Sequence, residues 1–293
     1  MCDEHTLRDA EEALQREGGT LTRRRFTAAA AGAAAAALVP RSAGASGVTG
    51  SDVLVQTPDG EADCYFVHPE SGSHAGVLIW PDILGLRPAF RTMGDRLAGS
   101  GYAVLVVNPY YRTARSPVVP DGASFADEAT RNTVFPLARS LTPDTNVTDA
   151  GAFVEFLDAQ TAVDTGRKIG TTGYCMGGPM VMRTAAAIPD RIGAGASFHG
   201  GGLVTEAESS PHLLVPNMQA SFLIAIAEND DERDPEAKGA LREAFDGAGL
   251  AAEIEVYEGA MHGWCPTDSA VYHEAQAERA WTRLLALFET ALA

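Results

Sequence analysis

Basic side chains are scarce in this chain. Lys and Arg number 22 against 39 Asp and Glu, for a net charge of −17. Such a surface repels phosphate, which excludes nucleic-acid binding through a basic face. It favours solubility and leaves the nature of a small ligand open. Cysteine is scarce too, with only Cys2, Cys64, Cys175 and Cys265 in 293 residues. That density excludes a small disulfide scaffold, and no C-x-x-C pair exists to build a zinc ribbon or a thioredoxin-like site. Long apolar runs are missing as well. The alanine-rich stretch Ala28 to Val39 is too short and too weakly apolar for a stable membrane span. No internal repeat and no second domain are visible.

What is present suits one large α/β domain behind a leader. Hydrophobic residues make up 45% of the chain, ample for a sizeable core. Residues 1–21 are polar and charged. Thr22-Arg23-Arg24-Arg25-Phe26 then precedes the alanine-rich run, and Ala43-Gly44-Ala45 resembles a small-residue cleavage site. Charged region, apolar region and small-residue region together form an export signal. The paired arginines before Phe26 resemble the twin-arginine type, which exports folded proteins. Residues 1–45 are therefore expected to be a leader and residues 46–293 a single domain. The expected location is periplasmic or extracellular, with a cytoplasmic location as the alternative. Cleavage would remove Cys2 and leave an odd number of cysteines, so at least one thiol is free.

The mature chain alternates strands and helices. Residues 52–57 and 62–67 alternate about Pro58-Asp59-Gly60 and predict an opening hairpin. Buried strands are expected at 76–80, 103–107, 169–172, 193–198 and 221–227, and a half-buried one at 252–257. Helical spacing covers 87–99, 146–159, the run after Gly178, 235–248 and 274–292. Residues 113–142 predict a loop with one or two short helices, suited to a lid or rim. The fold class is α/β, with a mostly parallel central sheet of about eight strands and helices on both faces. Ligands of such sheets bind beyond the carboxyl ends of the strands. Asp82, Arg112, Cys175, His199, Asp230 and His262 all fall at those ends.

The densest of these signals is Gly173-Tyr174-Cys175-Met176-Gly177-Gly178, a strand, a tight turn and a helix with one nucleophile at the apex. Glycines flank the apex because a Cβ there would collide with the neighbouring strand or helix. The following helix N-terminus favours an anion, whether thiolate or oxyanion. Acyl transfer by a thiol needs a base, an acid to hold the base, and donors for the oxyanion. The α/β-hydrolase order is nucleophile, acid, histidine, and here Cys175, Asp230 and His262 follow it. Asp231 competes with Asp230 as the acid; Asp230 comes first after the strand and is favoured. His199 is the rival histidine, favoured as a pocket wall. The oxyanion donors are expected to be the backbone N–H groups of Met176 and Ile83, with Leu84 as the alternative to Ile83.

Gly-Tyr-Cys-Met-Gly-Gly, Trp-Pro-Asp-Ile-Leu-Gly at 80–85 and Ala-Met-His-Gly-Trp at 260–264 together resemble the dienelactone hydrolase family. The resemblance covers roughly residues 50–292. It implies an α/β-hydrolase with a Cys-His-Asp triad that hydrolyses carboxylic esters or lactones through a thioester, without metal or cofactor. Family members open the cyclic ester of dienelactones to maleylacetate. In the family a glutamate hydrogen-bonds the resting thiol; Asp82 stands at that place, one methylene shorter, as the thiol-supporting group. Two family arginines hold the substrate carboxylate. Arg112 matches the first, while Cys265, Pro266 and Thr267 occupy the place of the second. Tyr111, His199 and Trp264 join Arg112 as expected substrate-binding residues, with Trp80 and Tyr174 adding aromatic character.

Three readings follow. The leading one is an ester or lactone hydrolase acting on a small molecule, as a monomer or small homo-oligomer. The second keeps the triad but acts on thioesters or other acyl bonds. The third is a catalytically degenerate, exported binding protein on the same fold.

Overall fold

The computed structural model of the chain describes residues 47–293. The expected leader and its export signal lie outside the described residues. In chain order the elements are β1 (Val48–Thr57), β2 (Gly60–Pro69), β3 (Gly76–Trp80), α1 (Pro88–Gly99), β4 (Ala103–Val107), α2 (Glu128–Arg139), α3 (Pro143–Asp158), β5 (Ile169–Tyr174), α4 (Gly177–Ala187), β6 (Ile192–Phe198), a 3₁₀ turn (Pro211–Asn217), β7 (Ser221–Ala227), α5 (Glu228–Arg233), α6 (Ala237–Ala248), β8 (Ala252–Tyr257) and α7 (Glu274–Ala291).

The strands form one eight-stranded sheet in the order β1-β2-β4-β3-β5-β6-β7-β8. The hairpin β1–β2 and the β2–β4 pair are antiparallel, and every other pair is parallel. This is the α/β-hydrolase arrangement expected. Residues of β3, β4 and β5 are buried throughout. Their runs do not alternate because helices cover both faces, so neither side needs polar residues. On one face α1 and α7 contribute Phe90, Leu97, Trp281, Leu284 and Phe288. On the other, α3, α4 and α6 contribute Phe153, Leu157, Val181, Leu241 and Phe245.

The strand order positions the site. From β3 the chain crosses one way to β4, then returns to the other side of β3 as β5. The loops leaving β3 and β5 thus diverge from neighbouring strands, which opens a crevice at the switch point. Trp80 pairs with Gly173, so the residues that follow each strand emerge side by side. Those are Pro81 to Leu84 on one side and Tyr174 to Gly177 on the other.

Two local differences from the sequence reading stand near the acid and the helix that follows it. Residues 228–233, expected as a loop, form the short helix α5, whose first turn carries Glu228, Asp230 and Asp231 against the positive end of its dipole. The helix expected from Pro235 begins at Ala237. Within 113–142 one helix, α2, forms amid loop, as expected. Among the described residues no helix is long and apolar enough to cross a membrane.

The closest backbone approach in the sheet lies under the apex. A Cβ on Gly177 would sit 2.3 Å from the Trp80 carbonyl oxygen, and one on Gly173 would sit 2.2 Å from the Gly177 carbonyl oxygen. Neither backbone can yield without displacing a central strand. Gly177→Ala should therefore lower the unfolding free energy by about 2–3 kcal/mol. Gly151→Ala, in α3 with open space around the new Cβ, should raise it by about 0.5–1 kcal/mol. Chemical denaturation of both variants checks the pair, and equal effects would contradict the close-approach argument.

Candidate active site

Cys175 occupies the turn between β5 and α4 with φ +52°. A side chain in this left-handed region costs on the order of 1–3 kcal/mol, and the surroundings must hold it there. Its N–H donates to the Phe198 carbonyl at 3.0 Å, and its carbonyl accepts from Gly178 N–H at 3.1 Å. The residue is buried and lies just before the N-terminal end of α4. Cys64 and Cys265 are also buried free thiols, and burial pushes both further from ionisation. Cys175 alone of the three has a histidine partner.

That partner is His262, in the loop after β8. Its backbone N–H donates to Asn229 Oδ1 at 2.8 Å, which ties the loop to α5. Its Nδ1 lies 2.7 Å from Asp230 Oδ2, and its second side-chain hydrogen bond is to Cys175. Burial opposes a charge on the ring. The negative charges of Asp230 and Cys175, with their hydrogen bonds, outweigh it and push the His262 pKa up to about 10. Asp231 points elsewhere, with both carboxylate oxygens 2.7 Å from Lys238 Nζ. Of the two candidate acids, Asp230 is the one beside the histidine.

His199 lies at the end of β6 with φ +41°. Its ring meets those of His262 and Trp264 edge-on, with centroids 5.1 and 5.0 Å away. Burial and the neighbouring His262 hold its pKa well below the usual histidine value, so it is a neutral wall of the pocket. Trp264 stands behind it, fully buried and stacked on Tyr257, and does not line the cavity. Trp80 and Tyr174 are core residues as well.

Ile83 and Met176 face each other across the switch point. Among the described residues no protein acceptor takes either backbone N–H. Leu84, the alternative donor, spends its N–H on Asp82 Oδ1 at 2.9 Å. Tyr110 braces both sides: its hydroxyl donates to the Ile83 carbonyl at 2.8 Å and lies 3.3 Å from Met176 Sδ.

Besides Trp264, which does not line the cavity, the structure corrects three further expectations. Asp82 does not support the thiol. Its carboxylate is held by Arg87, through Nη1 at 2.6 Å and Nη2 at 2.9 Å. The shorter side chain stays beside its own loop, where a guanidinium five residues on captures it. Arg112 is not a substrate clamp: Asp59 and Asp149 take its guanidinium at 2.6–2.9 Å. Tyr111 belongs to the same network, its hydroxyl 2.7 Å from Asp149 Oδ1 and from Thr57 Oγ1. That cluster ties β1, α3 and the loop after β4 together, away from the cavity.

Arg87 and Asp268 were not singled out in the sequence. Arg87 Nε donates to Asp268 Oδ2 at 2.7 Å, across 181 residues. No local spacing announces such a pair. The one signal was an arginine just before Pro88, close to the loop after β3. With these residues, a cavity of about 320 Å³ opens above Cys175 and His262, roofed by Gly122 to Ala126 and Ser269 to Val271. Phe125 of the roof packs against the cluster of Ile83, Val119 and Val134. Among the described residues no group of His, Cys, Asp and Glu could hold a metal ion. The arrangement can take a proton from a thiol, hold the resulting charge pair and accept an oxyanion on two N–H groups.

A family model described as the dienelactone hydrolase family matches residues 62–292. The carboxymethylenebutenolidase of Rhodococcus opacus is 25% identical over 229 residues, covering 76% of this chain and 85% of that one. The carboxymethylenebutenolidase of Pseudomonas putida is 24% identical over 234 residues, covering 80% and 93%. Among solved structures, a dienelactone hydrolase-like promiscuous phosphotriesterase from metagenomic libraries superposes with a TM-score of 0.70 at 22% identity, covering 84% of this chain and 99% of that one.

The raised pKa of His262 has a measurable consequence. A charged ring contributes stability fully below the unfolded value near 6.5, and that contribution fades as pH rises through about 10. Asp230→Asn removes the first-named supporting charge. NMR titration of the ring should then show its proton lost at a clearly lower pH than in the wild type. An unchanged titration would mean that Asp230 does not set the charge of His262.

Proposed function

The chain belongs to the dienelactone hydrolase family and is a carboxylic ester or lactone hydrolase; from that premise we propose that it works through a Cys175-His262-Asp230 triad and a thioester intermediate. The observation that carries this reading is the line of contacts from Cys175 through His262 to Asp230, at the apex of a strained turn. Asp230 holds the ring in the tautomer that presents its other nitrogen to sulfur. The thiol proton passes to His262, and the thiolate attacks the substrate carbonyl carbon. Charge developing on the carbonyl oxygen is met by the N–H groups of Ile83 and Met176. As the carbon–oxygen bond breaks, His262 returns its proton to the leaving alcohol. A water, deprotonated by His262, then attacks the thioester, and the collapsing intermediate releases the acid and restores the thiol.

The thiol is activated by His262 in this scheme, while Arg87 holds the Asp82 carboxylate. Burial of the site keeps water from weakening these charges. The reading favours an enzyme over a degenerate binding protein, since Cys175 and His262 line one cavity and Asp230 holds the far side of the His262 ring.

Cys175→Ala should lower turnover of a small activated ester at least about 10³-fold. Circular dichroism should show the variant folded. Turnover within a few-fold of wild type would sink the assignment.

A further inference from the structure

We infer that this site selects acyl substrates whose acyl portion carries no free carboxylate, a specificity that rests on the hydrolase reading above. Among the described residues that line the cavity, Arg87 is the one Lys or Arg. A guanidinium has five N–H donors. Here Nε goes to Asp268 Oδ2 at 2.7 Å, Nη1 to Asp82 Oδ1 at 2.6 Å and to the Gly85 carbonyl at 3.3 Å, and Nη2 to Asp82 Oδ2 at 2.9 Å and to Asp268 Oδ1 at 3.0 Å. Every donor is used, and two carboxylates face one cation. The other arginine expected to greet a carboxylate, Arg112, is spent on Asp59 and Asp149 outside the cavity. The charge on His262 is matched by Asp230 and Cys175.

An incoming carboxylate would therefore find no donor cation and would meet the Asp268 charge, which is partly exposed beside the cavity. Like charges in such proximity weaken binding strongly. An uncharged acyl chain meets no such penalty and gains contact with Phe125 and Ile83. The Asp82–Arg87–Asp268 bridge thus does two things: it pins the loop after β3 to the loop after His262, and it shields the cation from anionic substrates.

The test compares 4-nitrophenyl butyrate with 4-nitrophenyl hydrogen succinate, which differ by a methyl in place of a carboxylate. Spontaneous hydrolysis of each is subtracted. In the wild type, kcat/KM for the butyrate should exceed that for the succinate by at least about tenfold. Asp268→Asn, which keeps the shape and removes the charge, should narrow that ratio by at least about threefold. A wild-type ratio at or below one overturns the inference and leaves the hydrolase reading standing. A ratio unchanged in Asp268→Asn overturns the role given to Asp268. Hydrolysis of neither ester above the Cys175→Ala level overturns the hydrolase reading itself.

Discussion

Backbone pressed against backbone at the β3–β5 switch point is the constraint on which the rest depends. Gly177 has no room for a side chain against the Trp80 carbonyl, and Gly173 none against Gly177. With those contacts made, the turn between β5 and α4 has one way to run, and Cys175 is driven into the left-handed region. Cys175 then sits just before a helix N-terminus, and Tyr110 ties the Ile83 loop to Met176 beside it. The strain of the apex is offset by the buried strands on which it rests.

Charge in the pocket is divided between two closed systems. One is Asp230–His262–Cys175, in which burial disfavours a charged ring and two negative neighbours restore it. The other is Asp82–Arg87–Asp268, in which one guanidinium is saturated by two carboxylates. Keeping them separate matters. A carboxylate left free beside the thiol would disfavour the thiolate, and a free guanidinium would compete for Asp230. Tyr110 and Asn229 add rigidity by bracing the Ile83–Met176 pair and the histidine loop.

Much of the framework was legible in the sequence because buried parallel strands leave an unmistakable record. Residues 76–80, 103–107, 221–227 and 252–257 stand as strands with the expected bounds. The glycine pattern about Cys175 carried its geometry in full, since only glycines survive contacts that short. Chain order pointed to Cys175, Asp230 and His262, with Asp231 and His199 as rivals, and the fold brings the first three into one line of contacts. Long-range ion pairs were not legible. Arg112 resembled a substrate clamp by its neighbours Tyr110 and Tyr111, but its partners Asp59 and Asp149 come from other parts of the chain. Asp82 resembled a thiol partner by position, while the residue that captures it, Arg87, depends on where α1 begins. Such pairings are decided by tertiary packing, which local spacing does not encode.

The most direct test of the central claim is to catch the covalent intermediate. Wild-type protein mixed with 4-nitrophenyl butyrate, quenched in acid within the first turnovers and mapped by peptide mass spectrometry, should carry one butyryl group on the peptide that contains Cys175. The Cys175→Ala protein should carry none. A butyryl group on a serine or lysine instead, or turnover with no acylated peptide at any quench time, would contradict the thioester mechanism.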